Sequence, residues 1–430
     1  MAKVQPSFPS KGELNNPSNE EICDVIMGMK YASLAISDDK EGTLKKVAKM
    51  NPWHVEALKI IVGSEEEAHK PLTYLLKEHL DLECDKIIDI SGMSKGGHFL
   101  DTQGYIAHND EVIVLAYRCT TSIFDWLTNL NTTSSDWEIE EDVAQGFSGY
   151  CSGLEGLCCT NEHKPRVHTG FYNNFLTTVP DIKQYIDPLL APDQPPRKLF
   201  VVGHSLGAGI ATLAGCYFLM DYDWDMLPHS LISITAGSPR TCMSSMQDAV
   251  NEELAKKADK VTMMRIVRNK DVVATVPPAI LGFKHLGRLV FITDEGEIQF
   301  DAEVSERDTE DDRLKQAVDK HRPAEDSDSD DENGGMDAYD KKVARIPKAF
   351  RDHMPDFYLT PMKHYRENLF PVEEVEEEEE ETDSSDDDKP ETSASTEKKK
   401  KKKLFRRLFG SKKPKQETEA EQALQQISVE

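Results

Sequence analysis

Apolar residues recur at helical spacing through the first part of the chain. Glu20-Glu-Ile-Cys-Asp-Val-Ile26 and Pro71-Leu-Thr-Tyr-Leu-Leu76 carry this pattern, which predicts helices over residues 21–90. From Phe99 to Tyr117 the period shortens to that of a strand. Tyr105-Ile-Ala-His108 stops at Asn109-Asp110 and Val112-Ile-Val-Leu-Ala-Tyr117 follows, which reads as a hairpin. Further strands are predicted at Leu199–Val202, Leu231–Ala236, Val261–Val267 and Leu289–Ile292. Strands alternating with helices imply an α/β fold, a mostly parallel central sheet flanked by helices with an antiparallel start.

Breaks in this pattern divide the chain. Residues 1–20 are expected to be disordered, and 21–98 to form a helical part packed on the core. The α/β domain is expected over 99–370, interrupted at 301–342 by a charged insertion poor in apolar residues. Residues 371–430 are a low-complexity tail, acidic and then basic.

One junction carries chemistry. The apolar run Leu199-Phe-Val-Val202 ends abruptly in Gly203-His-Ser205-Leu-Gly207, and the small residues Ala208, Ala211, Ala214 and Gly215 follow at helical spacing. That is the pattern of a nucleophile elbow, a strained strand-to-helix turn that lifts a serine out at the top of a sheet. The free N–H groups of the following helix favour the negative charge that develops in acyl transfer. Residues 199–220 are also apolar enough to suggest a membrane span, but three glycines around a His-Ser pair argue for strand, turn and helix instead.

Composition narrows the class. A chain of 430 residues that is 38% apolar can bury one sizeable core. The net charge of −27 is uneven: 301–332 holds 14 acidic and 5 basic residues, 373–388 holds 12 acidic, and 398–415 holds 11 basic. An acidic body argues against general nucleic-acid binding. The N-terminus has no apolar core of signal-peptide length, so the expectation is a cytoplasmic or peripheral-membrane protein. Eight cysteines show no metal spacing and are expected to be free thiols; the cluster Cys151, Cys158 and Cys159 fits a bland loop, an acylation site or a redox pair.

A serine nucleophile needs a histidine base, and the base needs a carboxylate to fix its tautomer. In an elbow fold both follow the serine, acid first. Met264-Arg-Ile-Val-Arg-Asn-Lys-Asp271 is a β-branched strand ending in an aspartate, which makes Asp271 the candidate acid, with an Asx turn before the prolines as its plain alternative. Four histidines follow. His321 lies in the charged insertion, His285 is only fourteen residues past Asp271, and His364 is three turns into a helix. His353 precedes Met354-Pro-Asp-Phe-Tyr-Leu359, a loop entering a helix with proline in its first turn, and is the candidate base.

These residues resemble the class 3 lipases, the family of fungal triacylglycerol lipases and sn-1-specific diacylglycerol lipases. The likeness rests on Val114-Leu-Ala-Tyr-Arg118-Cys-Thr120 with Asp125-Trp-Leu127, His168-Thr-Gly-Phe171, Val202-Gly-His-Ser-Leu-Gly207, Ala236-Gly-Ser-Pro-Arg240, Asp271 and Asp352-His-Met-Pro-Asp356. The resemblance implies an α/β-hydrolase fold and a triad of Ser205, Asp271 and His353. It also implies an oxyanion hole from the N–H groups of Thr120 and Leu206, and no metal or organic cofactor. His168 and Phe171 are read as braces under the site. Cys119 stands where the family motif has glycine, and a Cβ and sulfur there put the hole's geometry in question.

The segment in the family's lid position offers Ile123, Phe124, Trp126, Leu127 and Leu130, an apolar face suited either to covering the site in water or to an ordinary core helix. The run Lys398 to Lys403 followed by Leu404-Phe405-Arg-Arg-Leu408-Phe409 suits an anionic membrane or lipid-droplet surface, each cation contributing about 1 kcal/mol. A nuclear-import signal or a solvated tail has the same composition. Ser327, Ser329, Ser384 and Ser385 precede acidic residues, as acid-directed kinases require. The expectation is a lipase acting on tri- or diacylglycerol by an acyl-enzyme. The alternatives are a phospholipase A1 or galactolipase, and a silent lipase-like scaffold with partner-binding tails.

Overall fold

Ser18 opens the first helix, α1 (Asn19–Leu34), with a reciprocal cap. Its Oγ accepts the Glu21 N–H at 3.1 Å, and the Glu21 carboxylate accepts the Ser18 N–H at 2.9 Å. The computed structural model describes residues 17–37, 52–93, 99–119, 132–138, 164–301, 339 and 346–369. The described chain therefore begins inside the stretch 1–20 expected to be disordered, because a capping box stabilises the helix start.

Two longer helices, α2 (Pro52–Val62) and α3 (Leu72–Leu80), come next, with the single turn Glu65–Ala68 between them. α3 stops where Asp81 turns left-handed at φ 53° and Leu82 N–H reaches back to Leu76 O at 3.0 Å. The chain then enters a strand, β1 (Glu83–Met93), where helix was expected. Lys86, Ile88 and Ile90 alternate with Ile87 and Asp89, a period of two, and β1 pairs antiparallel with β2 (Phe99–His108), Ile88 facing Gly104. The expected boundary at 98/99 thus falls inside a sheet.

The predicted hairpin is present. Asn109 Oδ1 accepts the N–H groups of Glu111 and Val112, both at 2.8 Å, and turns β2 into β3 (Val112–Tyr117). β4 (Ser134–Asp136), β5 (Arg166–His168), α4 (Thr169–Leu176) and α5 (Val179–Tyr185) come next. Then the α/β alternation runs through β6 (Lys198–His204), α6 (Leu206–Asp221), β7 (Ser230–Ala236), β8 (Cys242–Met243), α7 (Ser244–Lys256) and β9 (Val261–Arg268). β10 (Phe283–Lys284), β11 (Arg288–Ile292), β12 (Ile298–Phe300) and α8 (Pro355–Leu369) complete the fold.

The main sheet has the order β1-β2-β3-β6-β7-β9-β11-β12. Its pairs from β3 to β11 are parallel and its edges antiparallel. A small antiparallel sheet, β10-β8-β5-β4, lies apart from it. A Cβ on Gly28 of α1 would sit 2.7 Å from Ile234, and one on Gly215 of α6 2.7 Å from Ser233 Oγ. Adjacent strand residues face opposite sides, so α1 and α6 cover opposite faces of β7. Leu213 and Phe218 of α6 and Val201 and Leu231 of the sheet are buried in one cluster, each contributing roughly 1.5–3 kcal/mol. This is the α/β-hydrolase arrangement. Because the inner strands run the same way, the loops after β3, β6, β7 and β9 emerge at one end of the sheet, carrying Cys119, Ser205, Gly237 and Asp271. No described helix is long and apolar enough to cross a membrane.

Candidate active site

Ser205 occupies the elbow between β6 and α6 at φ 60°, ψ −127°, a conformation that costs a residue with a Cβ about 1–3 kcal/mol. The flanking glycines make it feasible. A Cβ on Gly203 would lie 2.3 Å from Gly207 O, and one on Gly207 2.3 Å from Tyr117 O. Ser205 N–H donates to Ala236 O at 3.0 Å, and Ser205 O accepts from the N–H of Ala208 and Gly209. Leu206 is the first residue of α6, so its N–H belongs to the helix terminus beside the hydroxyl.

Asp271 follows β9 and His353 precedes α8, 82 residues further on, yet they meet. His353 Nδ1 lies 2.9 and 2.8 Å from the two carboxylate oxygens. A carboxylate only accepts, so Nδ1 carries the proton and Nε2 is left as the basic nitrogen. Asp271 also accepts from Val273 N–H at 2.8 Å and from Tyr358 O–H at 2.5 Å. Burial, reinforced by the neighbouring Asp271, pushes the Tyr358 phenol well above its ordinary range and keeps it a donor.

His204, the residue before the serine, ties this pair to the elbow. Its ring stacks on His353 with centroids 4.8 Å apart, and its Nε2–H donates to His353 O at 2.9 Å. Burial, with His353 beside it, holds His204 far below the usual histidine range, so it is neutral. Asp352 binds the two loops together, accepting from Asn269 Nδ2 at 3.0 Å and from Lys270 N–H at 3.2 Å. Ser205 Oγ and His353 Nε2 are both buried and have no hydrogen-bond partner among the described residues. They are the two atoms a serine mechanism links.

Gly237 closes the floor. Its φ is +55°, and a Cβ there would lie 2.7 Å from Asp271 Oδ2 and 2.9 Å from His353 Nδ1. His168 caps α4 by accepting Gly170 N–H at 3.1 Å, and Phe171 packs under the elbow helix where a Cβ on Gly209 would be 2.4 Å from its ring. His285 Nε2 reaches Ala274 O at 2.8 Å and fixes the loop after Asp271, while His364 is exposed. Asn269, Lys270 and the buried Tyr358 carry no signal that separates them from ordinary loop and core residues, and the buried His204, Gly237 and Asp352 lie in the quoted motifs without anything local that reveals their contacts. Sequence reasoning assigned them no role.

Thr120, the lid candidates Ile123, Phe124, Trp126, Leu127 and Leu130, and the tail candidates Lys398, Lys403, Leu404, Phe405, Leu408 and Phe409 lie outside the described residues. So do Cys151, Cys158 and Cys159 and most of the insertion. Among the described residues no group of three or more His, Cys, Asp and Glu is placed to hold a metal ion.

Asp356, three residues past His353, is buried and accepts from the Tyr339 hydroxyl. Burial pushes its carboxyl from the usual 3.8 up to about 7. The folded chain therefore holds a proton that the unfolded chain loses, and stability falls as pH rises from about 4 to about 7. Asp356→Asn removes this dependence. Its stability relative to the parent is expected to be about 2 kcal/mol greater at pH 8 than at pH 5. Denaturant titrations at both pH values check this, and an equal difference at both contradicts it.

The family profile described as Lipase (class 3) matches residues 114–281. A lipase of Rhizopus niveus is 29% identical over 189 residues, 44% of this chain and 41% of that protein. Secreted mono- and diacylglycerol lipase 1 of Fusarium solani is 26% identical over 229 residues, 53% of this chain and 57% of that protein. The chain thus spans about half the length of these curated relatives. Among solved structures, mono- and diacylglycerol lipase from Aspergillus oryzae has a TM-score of 0.42 at 18% identity, covering 66% of this chain and 86% of its own. Lipase II from Rhizopus niveus has a TM-score of 0.40 at 21% identity, covering 60% and 85%. Over residues 114–281, this chain is similar to the class 3 lipases.

Proposed function

We propose that the protein is a serine ester hydrolase acting on acyl esters of glycerolipids, most readily tri- or diacylglycerol. The observation that carries this is the buried Asp271–His353 pair, stacked through His204 onto a strained elbow serine. His353 Nε2 takes the Ser205 proton as Oγ attacks the ester carbonyl, and a tetrahedral oxyanion forms beside the Leu206 N–H. Asp271 holds the ring and stabilises its charged form. The proton passes to the leaving alcohol, and water then releases the acyl group by the same route. The acylglycerol preference draws on the relatives named as lipase and as mono- and diacylglycerol lipase.

A feature of the acid loop supports a lipid surface as the substrate phase. Ile280 is 91% exposed and Leu281 47%, side by side nine and ten residues past Asp271. Their loop is not slack: Arg240 Nη1 donates to Pro277 O at 3.0 Å, and Arg240 N–H to Val276 O at 2.8 Å. A fixed, exposed apolar tip is stabilised only when something apolar covers it. Ile280→Glu is expected to slow fatty-acid release from acylglycerol emulsions about tenfold, and to change hydrolysis of a soluble short-chain ester less than twofold. Equal losses on both substrates contradict the lipid-surface role. The same assay run on phospholipid and galactolipid dispersions decides the head group: faster release from either one replaces the acylglycerol reading by the phospholipase A1 or galactolipase alternative. The basic tail is proposed as a second, electrostatic tether to anionic lipid.

The scaffold alternative drew on Cys119. Among the described residues, the non-glycine positions with positive φ are Asp81, Ser205, Asn269 and Asp301, and Cys119 is not one of them. Its departure from glycine therefore brings no left-handed strain, and the motive for a silent site weakens.

A further inference from the structure

The N-terminal helices precede the stretch that matches the lipase family, yet α2 reaches both sides of the catalytic centre. Trp53 packs against the cluster of Val272, Val273, Phe350 and Met354, which joins the acid loop to the histidine loop. The next residue, His54, is buried, with Nε2 3.6 Å from the sulfur of Cys119. We infer that α2 clamps the loop that presents the oxyanion donor, and that His54 is a positioning residue for ester hydrolysis, acting through Cys119. The inference rests on the hydrolase reading above.

The dipeptide Arg118-Cys119 is held from three directions, twice through the Arg118 backbone and once through the Cys119 sulfur. Arg118 N–H donates to Gln103 O at 2.7 Å, pinning the loop's start to β2. The elbow helix presses from another side, since a Cβ on Gly207 would lie 2.6 Å from Arg118 O. The Cys119 side chain is buried against α2, where a glycine would leave nothing for α2 to hold. The sulfur thus gives the N-terminal helix a grip on the residue next to Thr120, whose N–H the family resemblance makes the second oxyanion donor. A donor must sit within a few tenths of an ångström of the developing oxyanion to act, so a slack loop lowers the rate without weakening substrate binding.

The pair is chemically quiet. Burial pushes the Cys119 thiol up to about 11, and burial with the nearby Arg118 charge pushes His54 down to about 3. Both are neutral at physiological pH, so the contact is a neutral hydrogen bond that adds no charge beside the oxyanion. A buried, protonated thiol is also a poor nucleophile, which speaks against a redox role for Cys119.

The test is the rate at which a fluorophosphonate inactivates the full-length protein, because phosphonylation places a developing P–O⁻ where the ester oxyanion forms. His54→Ala and Cys119→Ala are each expected to slow inactivation and kcat about tenfold, with KM changed less than twofold. The apparent pKa of the pH–rate profile stays put, since Asp271 and His353 are untouched. The double variant is no more than about twofold slower than either single one, because both remove one contact. His54→Gln, which keeps a hydrogen-bonding group on a similar stem, recovers most of the rate. If His54→Ala does not fold, Cys119→Ala and His54→Gln still decide. Folded variants reacting at the parent rate overturn the inference, as does a loss accompanied by a shifted pH profile. A parent protein that does not react at all overturns the hydrolase reading, and the inference with it.

Discussion

Asp271→Asn is expected to lower kcat on any accepted ester by about four orders of magnitude while leaving KM nearly unchanged. The size follows from hydrogen-bond polarity. Asp271 accepts three donors: His353 Nδ1–H, Val273 N–H and Tyr358 O–H. An asparagine has one accepting oxygen: the Val273 N–H on Oδ1 cannot reverse, whereas the Tyr358 hydroxyl on Oδ2 can rotate to accept, so the amide oxygen takes the Oδ1 place and the NH2 the Oδ2 place. Its NH2 then faces His353 Nδ1, which becomes the acceptor, and the ring proton moves to Nε2. His353 can then no longer take the proton of Ser205. Steady-state kinetics with a soluble ester check this, and a loss of less than tenfold contradicts the assigned roles.

Gly237→Ala is expected to lower kcat at least about a hundredfold, although residue 237 contributes no chemical group. Its φ of +55° favours glycine, and alanine there adds roughly 1 kcal/mol of backbone strain. The larger effect is steric. The new methyl would lie 2.7 Å from Asp271 Oδ2 and 2.9 Å from His353 Cε1, so one of the pair must move. Thermal melts beside kinetics separate the two effects: a fold close to parental stability with a collapsed kcat is the expected outcome. Parental activity would mean that the Asp271–His353 contact is not the working arrangement.

Much of the architecture could be read ahead of the structure because its signals are local. The apolar run into Gly203 and Gly207 marks β6, the elbow and α6, and the Asn109-Asp110 break marks the hairpin. Asp271 and His353 were reachable because chain order restricts the choice, although nothing local in either residue reveals the other across 82 positions. β1 was misread because its alternation is weak: Ile88 alone among its isoleucines is fully buried, and charged residues fill the neighbouring positions. Ser18 went unnoticed because a cap is a single side chain meeting a single N–H. Tyr358 stood outside every motif, and His204 and Gly237 stood inside motifs without an assigned role, for a deeper reason. Their roles come from where β6, β7 and α8 converge, and a tyrosine one turn into a helix reads as core until its hydroxyl is found on a carboxylate. His54 lies 65 residues from Cys119 and no motif joins them.

The central claim, an activated Ser205, is tested most directly by fluorophosphonate labelling of the purified full-length protein, with the modified residue assigned by mass spectrometry. The expected result is a single phosphonyl adduct on Ser205, absent in Ser205→Ala and slowed by several orders of magnitude in His353→Ala. A parent protein that stays unlabelled in buffer, detergent and lipid vesicles alike, or one labelled elsewhere, would contradict it.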